Sequence, residues 1–310
     1  MSKGLTDIMF TVELRSQRHW DWKVAFYLYG AGTSAGLIFL EVVLRGLELI
    51  DQNTALVGMW IGLGLALASL AFLFIHLGPG ARWGFLYVFT KPRTSWIARG
   101  AIIVTVLVAL RVLILIQTLP GLEKLPWGEG TLGGAVFRGA VLLFAAAFMA
   151  YSGLVLSSWN SIAFWNTPLL PALYVGYSFL AGMAALPLIV VLFGGAAPLA
   201  PIFWPSLLVL LLGNGFLLWL YVSGMSTGTL PARESVRRLV SGEQRKSFWV
   251  GTVVIGLALP TLIAVSAMAG GLGSGPGAVT VLIATCTCVQ LGGFLLRDNV
   301  LRVGVYGYPL

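Results

Sequence analysis

Eight apolar segments, each long enough to cross a lipid bilayer, account for most of this 310-residue chain. Roughly 20 apolar residues span the hydrocarbon core as a helix, and these segments lack the alternation of apolar and polar residues that marks barrel strands. Because backbone groups in lipid must be hydrogen-bonded internally, we expect an all-α integral membrane protein. The predicted spans are Lys23–Leu44, Val57–His76, Ile97–Thr118, Arg138–Trp159, Leu169–Phe193, Ile202–Val222, Phe248–Met268 and Gly277–Leu296.

The composition leaves little room for a water-soluble domain. Hydrophobic residues make up 58% of the chain, and the longest hydrophilic stretch, Ser223–Ser247, is too short to bury a core of its own. No phosphate-binding loop, nucleophile elbow or zinc-protease motif occurs in a suitable context, which excludes a self-contained hydrolase or nucleotide-driven pump. The first 22 residues lack the apolar region of a signal peptide, so we expect the first helix to be retained.

The distribution of positive charge predicts an orientation. With eight spans, fifteen of the 19 Lys and Arg residues fall on the side of both termini and three on the other side, while Arg111 lies inside a helix. The positive-inside rule then places both termini in the cytoplasm. A basic face that docks an acidic partner would give the same count in either orientation. We assign the net charge of +8 to the bilayer and to partners, and expect no nucleic-acid binding.

Residues that could bind a metal are scarce. Cys286 and Cys288 both lie in the eighth predicted span and cannot by themselves complete a zinc or iron–sulfur site. A haem held by two histidines would need His19 and His76 to face one another across a cavity. We therefore expect no haem, no iron–sulfur cluster and no other metal in this chain.

A weak internal repeat relates the two halves of the chain. The matched pairs are Gly36 with Gly182 and Gly153 with Gly293. Because each unit has an even number of helices, the units would be parallel repeats, with four-helix bundles at 1–160 and 161–310. In this alignment Tyr151 falls opposite Leu291, and His19 falls opposite a tryptophan. The first half therefore keeps polar groups that the second half lacks.

Four blocks of sequence resemble one family of membrane proteins. They are His19–Trp22 with Tyr29–Gly36, Leu77–Trp83 with Lys91–Trp96, Tyr151–Ser158, and Phe164–Pro171. In this order and with eight spans, the chain resembles the polysulfide-reductase membrane-subunit family, also called NrfD/PsrC-like, over most of its length. It departs from the family at Pro79, which follows a glycine instead of a basic residue, and at Ser16, where the family often has asparagine.

The resemblance implies a quinone-reactive subunit of an iron–sulfur molybdoenzyme. Enzymes of this family most often act on sulfur compounds. In that family a quinone or quinol binds near one membrane face, a four-cluster ferredoxin-like iron–sulfur subunit docks over it, and a molybdopterin catalytic subunit lies beyond. Carried over to this sequence, His19 and Tyr151 match the residues that hold the quinone oxygens, with Gln17, Trp20 and Asp21 beside His19. An imidazole can exchange protons near neutral pH, and a phenol offers an O–H from an apolar wall.

Each of these residues also has an interpretation without a ligand. His19 could belong to an interfacial belt with Trp20 and Trp22. Tyr151 could make a structural bond between helices, and Asp21 could be a solvated acid at a helix start instead of a proton relay. Two other functions stay open, namely a small-molecule or ion transporter and a structural anchor without a ligand.

Two charged residues, Glu41 and Arg111, lie deeper in the predicted spans, toward the face without the termini. Ionisable groups at such depth are candidates for function, and this pair could line a proton path to the quinone. Equally, both side chains could extend to the nearby interface.

Basic residues in two loops on the side of the termini predict a docking surface for the iron–sulfur subunit. They are Arg82, Lys91 and Arg93 after the second span, and Arg237 and Arg238 after the sixth. Binding of anionic lipid would use the same charges.

Overall fold

The computed structural model describes residues 14–78, 83–122, 125–128, 130–193, 200–270 and 276–307. Its helices are α1 (Trp22–Gly46), α2 (Gln52–His76), α3 (Trp96–Ile116), α4 (Leu132–Ser157), α5 (Leu169–Phe193), α6 (Ala200–Ser226), α7 (Leu230–Val240), α8 (Ser247–Met268) and α9 (Pro276–Arg302). Eight of these, all except α7, contain a segment long and apolar enough to cross a membrane. The predicted all-α fold with eight apolar spans is therefore confirmed.

Side-chain caps and buried polar residues explain why several helices extend beyond the predicted spans. The side chain of Thr131 accepts a hydrogen bond from the Gly134 amide at 2.9 Å, so α4 starts before Arg138. The last helix, α9, continues past Leu296 because its polar residues are buried within the protein. There Asn299 Nδ2 donates to Thr252 Oγ1 at 3.1 Å, which hydropathy alone does not anticipate.

Three elements were absent from the prediction. A 3₁₀ helix, Trp83–Thr90, follows α2, and the amphipathic helix α7 buries Ala232 and Leu239 while Arg237 stays exposed. The first part of α8, Ser247–Ala258, is a π-helix. These elements were missed because a search for long apolar runs detects neither a short amphipathic helix nor a change in helical winding.

Helix α1 is the centre of the molecule, and it contacts α2, α4, α5 and α9. It crosses α5 at two glycines. A Cβ added to Gly36 would overlap the Ser178 carbonyl, and one added to Gly182 would overlap the backbone of Gly36. Glycines thus let the two backbones touch, as is common between helices in membranes.

Helix contacts in the second half follow those in the first. Helix α1 contacts α2 and α4, and α3 contacts α4; correspondingly, α5 contacts α6 and α9, and α8 contacts α9. This correspondence supports the parallel repeat, which stays a prediction, as does the division at residue 160. Contacts of α1 with α5 and α9 join the two halves closely.

The two ends of the described chain meet on one face of the helical bundle. Ser16 and Val305 form an antiparallel bridge, in which the Gln17 amide donates to the Gly304 carbonyl at 2.9 Å and the Tyr306 amide to the Arg15 carbonyl at 3.0 Å. We call this face, with the starts of α1, α3 and α5 and the ends of α2, α4 and α9, the terminal face.

Candidate functional site

A cavity of about 480 Å³ lies at the terminal face among α1 to α4 and the 3₁₀ helix. Most of its lining is aliphatic. The aromatic and polar lining residues are Trp20, Tyr27, His76, Tyr151 and Trp159. Its volume falls within the ~300–1,000 Å³ typical of small-molecule sites, and a mostly apolar wall with a few polar groups is the usual composition of such sites.

Two tyrosines form the inner end of this cavity. Tyr27 on α1 and Tyr151 on α4 are each only 4% exposed, and their side chains lie within hydrogen-bonding reach of one another. The ring of Tyr151 lies directly against α3 at Gly100, where an added Cβ would overlap the ring. The absence of a side chain at Gly100 therefore fixes how deeply Tyr151 sits between α3 and α4.

A histidine and a carboxylate lie near the mouth of the cavity. His76 is the last residue of α2, and its Nδ1 lies 3.3 Å from Oδ1 of Asp21. Asp21 also caps α1, since its side chain accepts a hydrogen bond from the Lys23 amide at 3.0 Å. Helix dipoles favour a positive charge at the end of α2 and a negative charge at the start of α1. The pair joins these two helix ends beside the cavity.

Trp20 forms one wall of the mouth and is held by Gln17. The Trp20 amide donates to Gln17 Oε1 at 2.9 Å, and Gln17 Nε2 donates to the carbonyls of Trp20 and Leu301, both at 2.9 Å. The Trp20 ring packs edge-on against Trp159, with centroids 5.7 Å apart, and against Trp165 at 5.5 Å. Gln17 thus positions a cavity wall without lining the cavity.

The predicted site residues are brought together in part. Trp20 and Tyr151 line the cavity, while Asp21 reaches it through His76. His19 is exposed and is not among the lining residues. The sequence-based interpretation missed Tyr27 and His76. The spacing of Tyr27 in α1 gave no signal, and the sequence suggested no functional role for His76 other than as a haem ligand together with His19.

The two deep charges form an ion pair in the structure. Arg111 Nη1 lies 2.8 Å from Glu41 Oε2, and the side chains are 0% and 1% exposed. The alternative in which both extend to the interface is therefore wrong for the described structure. A cavity of about 310 Å³ lies at the same far ends of α1, α2 and α3, and its lining combines apolar residues with Arg45, Gln52 and Gln117.

The predicted docking residues differ in their surroundings. Lys91 and Arg93 are exposed, and Arg82 lies outside the described residues. Glu234 binds Arg237 at 2.7 Å and Arg238 at 2.9 Å.

Hydrogen bonds from Arg237, joined by those from Arg238, hold the pKa of Glu234 at about 2, below its usual range. Glu234 is therefore ionised at neutral pH and offsets part of the positive charge of α7. Arg238 also donates to Ser16, so it fastens α7 to the N-terminal segment. Arg237, whose side chain is 64% exposed, is the more available of the two arginines.

Within the described ranges, no group of three or more His, Cys, Asp or Glu residues could hold a metal ion. The expectation that the chain carries no haem or iron–sulfur cluster stays a prediction.

Comparison with known proteins decides the family. The family model described as "Polysulphide reductase, NrfD" matches residues 11–306. The chain belongs to the NrfD polysulphide reductase family. The resemblance that rested on four sequence blocks is thereby confirmed, and the matched region contains the cavity and every described candidate site residue.

Relatives of this NrfD-family protein come from several bacteria. It is 28% identical to "Protein NrfD" of Escherichia coli strain K12, over 92% of this chain and 94% of the relative. It is 26% identical to the C subunit of the polysulfide reductase of Wolinella succinogenes, over the same shares of the two sequences. It is 28% identical to "Protein NrfD homolog" of Haemophilus influenzae, over 78% of this chain and 82% of the relative.

Proposed function

We propose that this chain is the quinone-reactive membrane subunit of a respiratory oxidoreductase in a prokaryotic inner membrane. It would pass electrons between the quinone pool and a docked iron–sulfur subunit. The observation that carries the proposal is the cavity at the terminal face, with tyrosines at its inner end and His76 near its mouth. The relative from Wolinella succinogenes is one subunit of a polysulfide reductase, which supports partners for this protein. Those we propose are a four-cluster ferredoxin-like subunit and a molybdopterin catalytic subunit acting on a sulfur compound.

The lining of the cavity fits a quinone ring. Its aliphatic and aromatic walls suit a lipid-soluble molecule, and Tyr151, with Tyr27 beside it, would supply an O–H for a ring oxygen. When bound, a quinone supplies two-electron chemistry that is accompanied by two protons. The protein must therefore hold the ring oxygens and connect them to water.

In this proposal the tyrosines and histidines have separate tasks. Tyr151, fixed by Gly100, holds one ring oxygen, and Tyr27 holds the hydroxyl of Tyr151 in place. His76 exchanges protons with water at the terminal face, and Asp21 keeps its imidazole in position. His19, exposed on the chain beside the cavity wall Trp20, would be covered by a docked subunit and would then serve as the outer histidine of the site.

We also propose that Glu41 and Arg111 belong to a proton path from the far face. Glu41 lies 14 residues after Tyr27 on α1, which corresponds to about 21 Å along a helix. A cavity lined by Arg45 and Gln117 lies at that face, near the ends of the helices that carry the pair, and would supply the water-filled start of such a path. Buried ion pairs in membranes commonly mark such paths.

The site is tested by single substitutions in the assembled complex. Tyr151→Phe, His76→Ala and His19→Ala should each lower quinol-linked turnover at least tenfold, about 1.4 kcal/mol of transition-state stabilisation, because each removes a group that holds or protonates the ring. The partner subunits should still co-purify. Turnover is measured with a quinol analogue and an artificial acceptor.

Tyr174→Phe is the matched control. Tyr174 is a fully buried tyrosine of α5 whose hydroxyl has no hydrogen-bond partner among the described residues, so its loss should leave turnover unchanged. Wild-type turnover in Tyr151→Phe would overturn the proposed site. Wild-type turnover in His19→Ala alone would exclude His19 from the proposed site and leave His76 as the proton-exchanging group.

A further inference from the structure

A second cavity, of about 350 Å³, lies between α2 and α3 and adjoins the first. The two cavities share Tyr27, Leu73, Ile97 and Tyr151. The remaining lining of the second cavity is apolar except for Thr105. A molecule that touches the tyrosines in the first cavity therefore lies next to the second cavity.

This second cavity faces the part of the bilayer that holds acyl chains. Leu67 and Phe74 on α2 are 48% and 43% exposed, and Ile97 on α3 is 44% exposed. Ala71 lies five residues before the end of α2, about 7 Å below the terminal face. Thr105 lies nine residues into α3, about 14 Å below that face. In a membrane-spanning helix, exposed apolar side chains at these depths would face lipid tails.

We propose that the passage between α2 and α3 is the binding groove for the polyprenyl tail of the quinone. This inference rests on the proposed function, since it assigns the ring to the first cavity. The ring lies at the polar end, near His76 and the tyrosines, and the apolar tail continues past Leu73 and Ile97 into the bilayer. A lipid-soluble ligand would thereby reach the site from the membrane, while the terminal face stays free for the docked subunit.

Its lining by Tyr27 and Tyr151, which also line the first cavity, distinguishes this groove from another apolar groove, between α6 and α8. That groove is larger, about 710 Å³, and its described lining is apolar or aromatic except for Ser223 and Thr261. It shares no lining residue with the cavity that holds His76. It therefore serves as an internal control for the effect of filling a lipid-facing groove.

Filling the proposed groove should weaken binding of a tailed quinol and leave a tail-less quinol unaffected. Ala71 lines the groove and is exposed, so a larger side chain there can extend into it without displacing buried neighbours. In the assembled complex in proteoliposomes, Ala71→Trp should raise KM at least tenfold for a quinol with a polyprenyl tail. KM for the same ring without a tail should change less than twofold, with kcat unchanged for both.

The control is Ala258→Trp, at an exposed alanine that lines the groove between α6 and α8, which should change neither KM. If the tryptophan variant does not assemble, Ala71→Leu and Ala71→Phe give a graded version of the same comparison. If Ala71→Trp changes KM equally for both quinols, or does not change KM for the tailed quinol, the proposed tail-binding groove is wrong. The proposed function would be unaffected by that result. A wild-type complex that oxidises or reduces neither quinol would overturn both.

Discussion

At the scale of single residues, the site depends on a glycine that has no chemistry of its own. Gly100→Ala should lower quinol-linked turnover about tenfold, because the new Cβ overlaps the Tyr151 ring and must displace it from the cavity. Gly139→Ala on α4 is the control, since nothing lies within 4 Å of a Cβ at that position. Turnover and thermal stability of the purified complex are measured together. Unchanged turnover in Gly100→Ala would mean that the position of Tyr151 is not critical.

The residues of the site could be predicted from sequence only where a local block marked them. Tyr151 and Trp20 lie in such blocks, and both line the cavity. His76 was missed because its position in the site depends on its contact with Asp21. That contact forms only when α1 and α2 pack side by side. Gly100 could not be predicted either, since an apolar helix offers many glycines and only packing shows which one meets a ring.

At the scale of helices, the buried pair of Glu41 and Arg111 predicts that a single and a double substitution have different effects on stability. Arg111→Leu leaves a buried carboxylate without its partner and should destabilise the protein by about 3–5 kcal/mol. The double variant Glu41→Leu with Arg111→Met removes both charges and should be close to wild type in stability. Thermal unfolding in detergent measures this difference.

The same double variant tests the proton path. By this proposal the wild-type complex in proteoliposomes should produce a pH change across the membrane during quinol-linked turnover, and the double variant should keep the turnover but lose that pH change. A stable double variant that still produces the pH change would show that the pair is structural only.

The helices themselves were predictable because about 20 apolar residues are required to cross the hydrocarbon. Their ends were less so. The cap at Thr131 and the buried Asn299 extend α4 and α9 beyond what hydropathy indicates. The amphipathic α7 lies among charged residues, where a search for apolar runs gives no signal.

At the scale of the whole molecule, an even number of spans predicted that both termini share one face, and the pairing of Ser16 with Val305 agrees with it. Which helices touch was not predictable, since lipid tails are as apolar as the helices and hydrophobicity does not select neighbours. The central place of α1 follows instead from close contacts at glycines such as Gly36.

The face that carries the termini is tested by cysteine labelling. In a Cys286→Ala, Cys288→Ala background, Ser241→Cys at the end of α7 should resist a membrane-impermeant reagent in intact cells, because the charge count places this face in the cytoplasm. Asn53→Cys, exposed in the first turn of α2 on the other face, should react. The reverse pattern would put the termini outside, and partner binding would then have to explain the basic loops.

The pairing of the two ends of the chain has a consequence for biosynthesis. Gln17, which holds the cavity wall Trp20, donates to Leu301 near the end of α9, and α1 itself packs against α9. The surroundings of α1 are therefore complete only after α9 has been synthesised and has entered the membrane. Although every cavity residue precedes position 160, the ribosome must synthesise the chain through α9 before the site can take its final form.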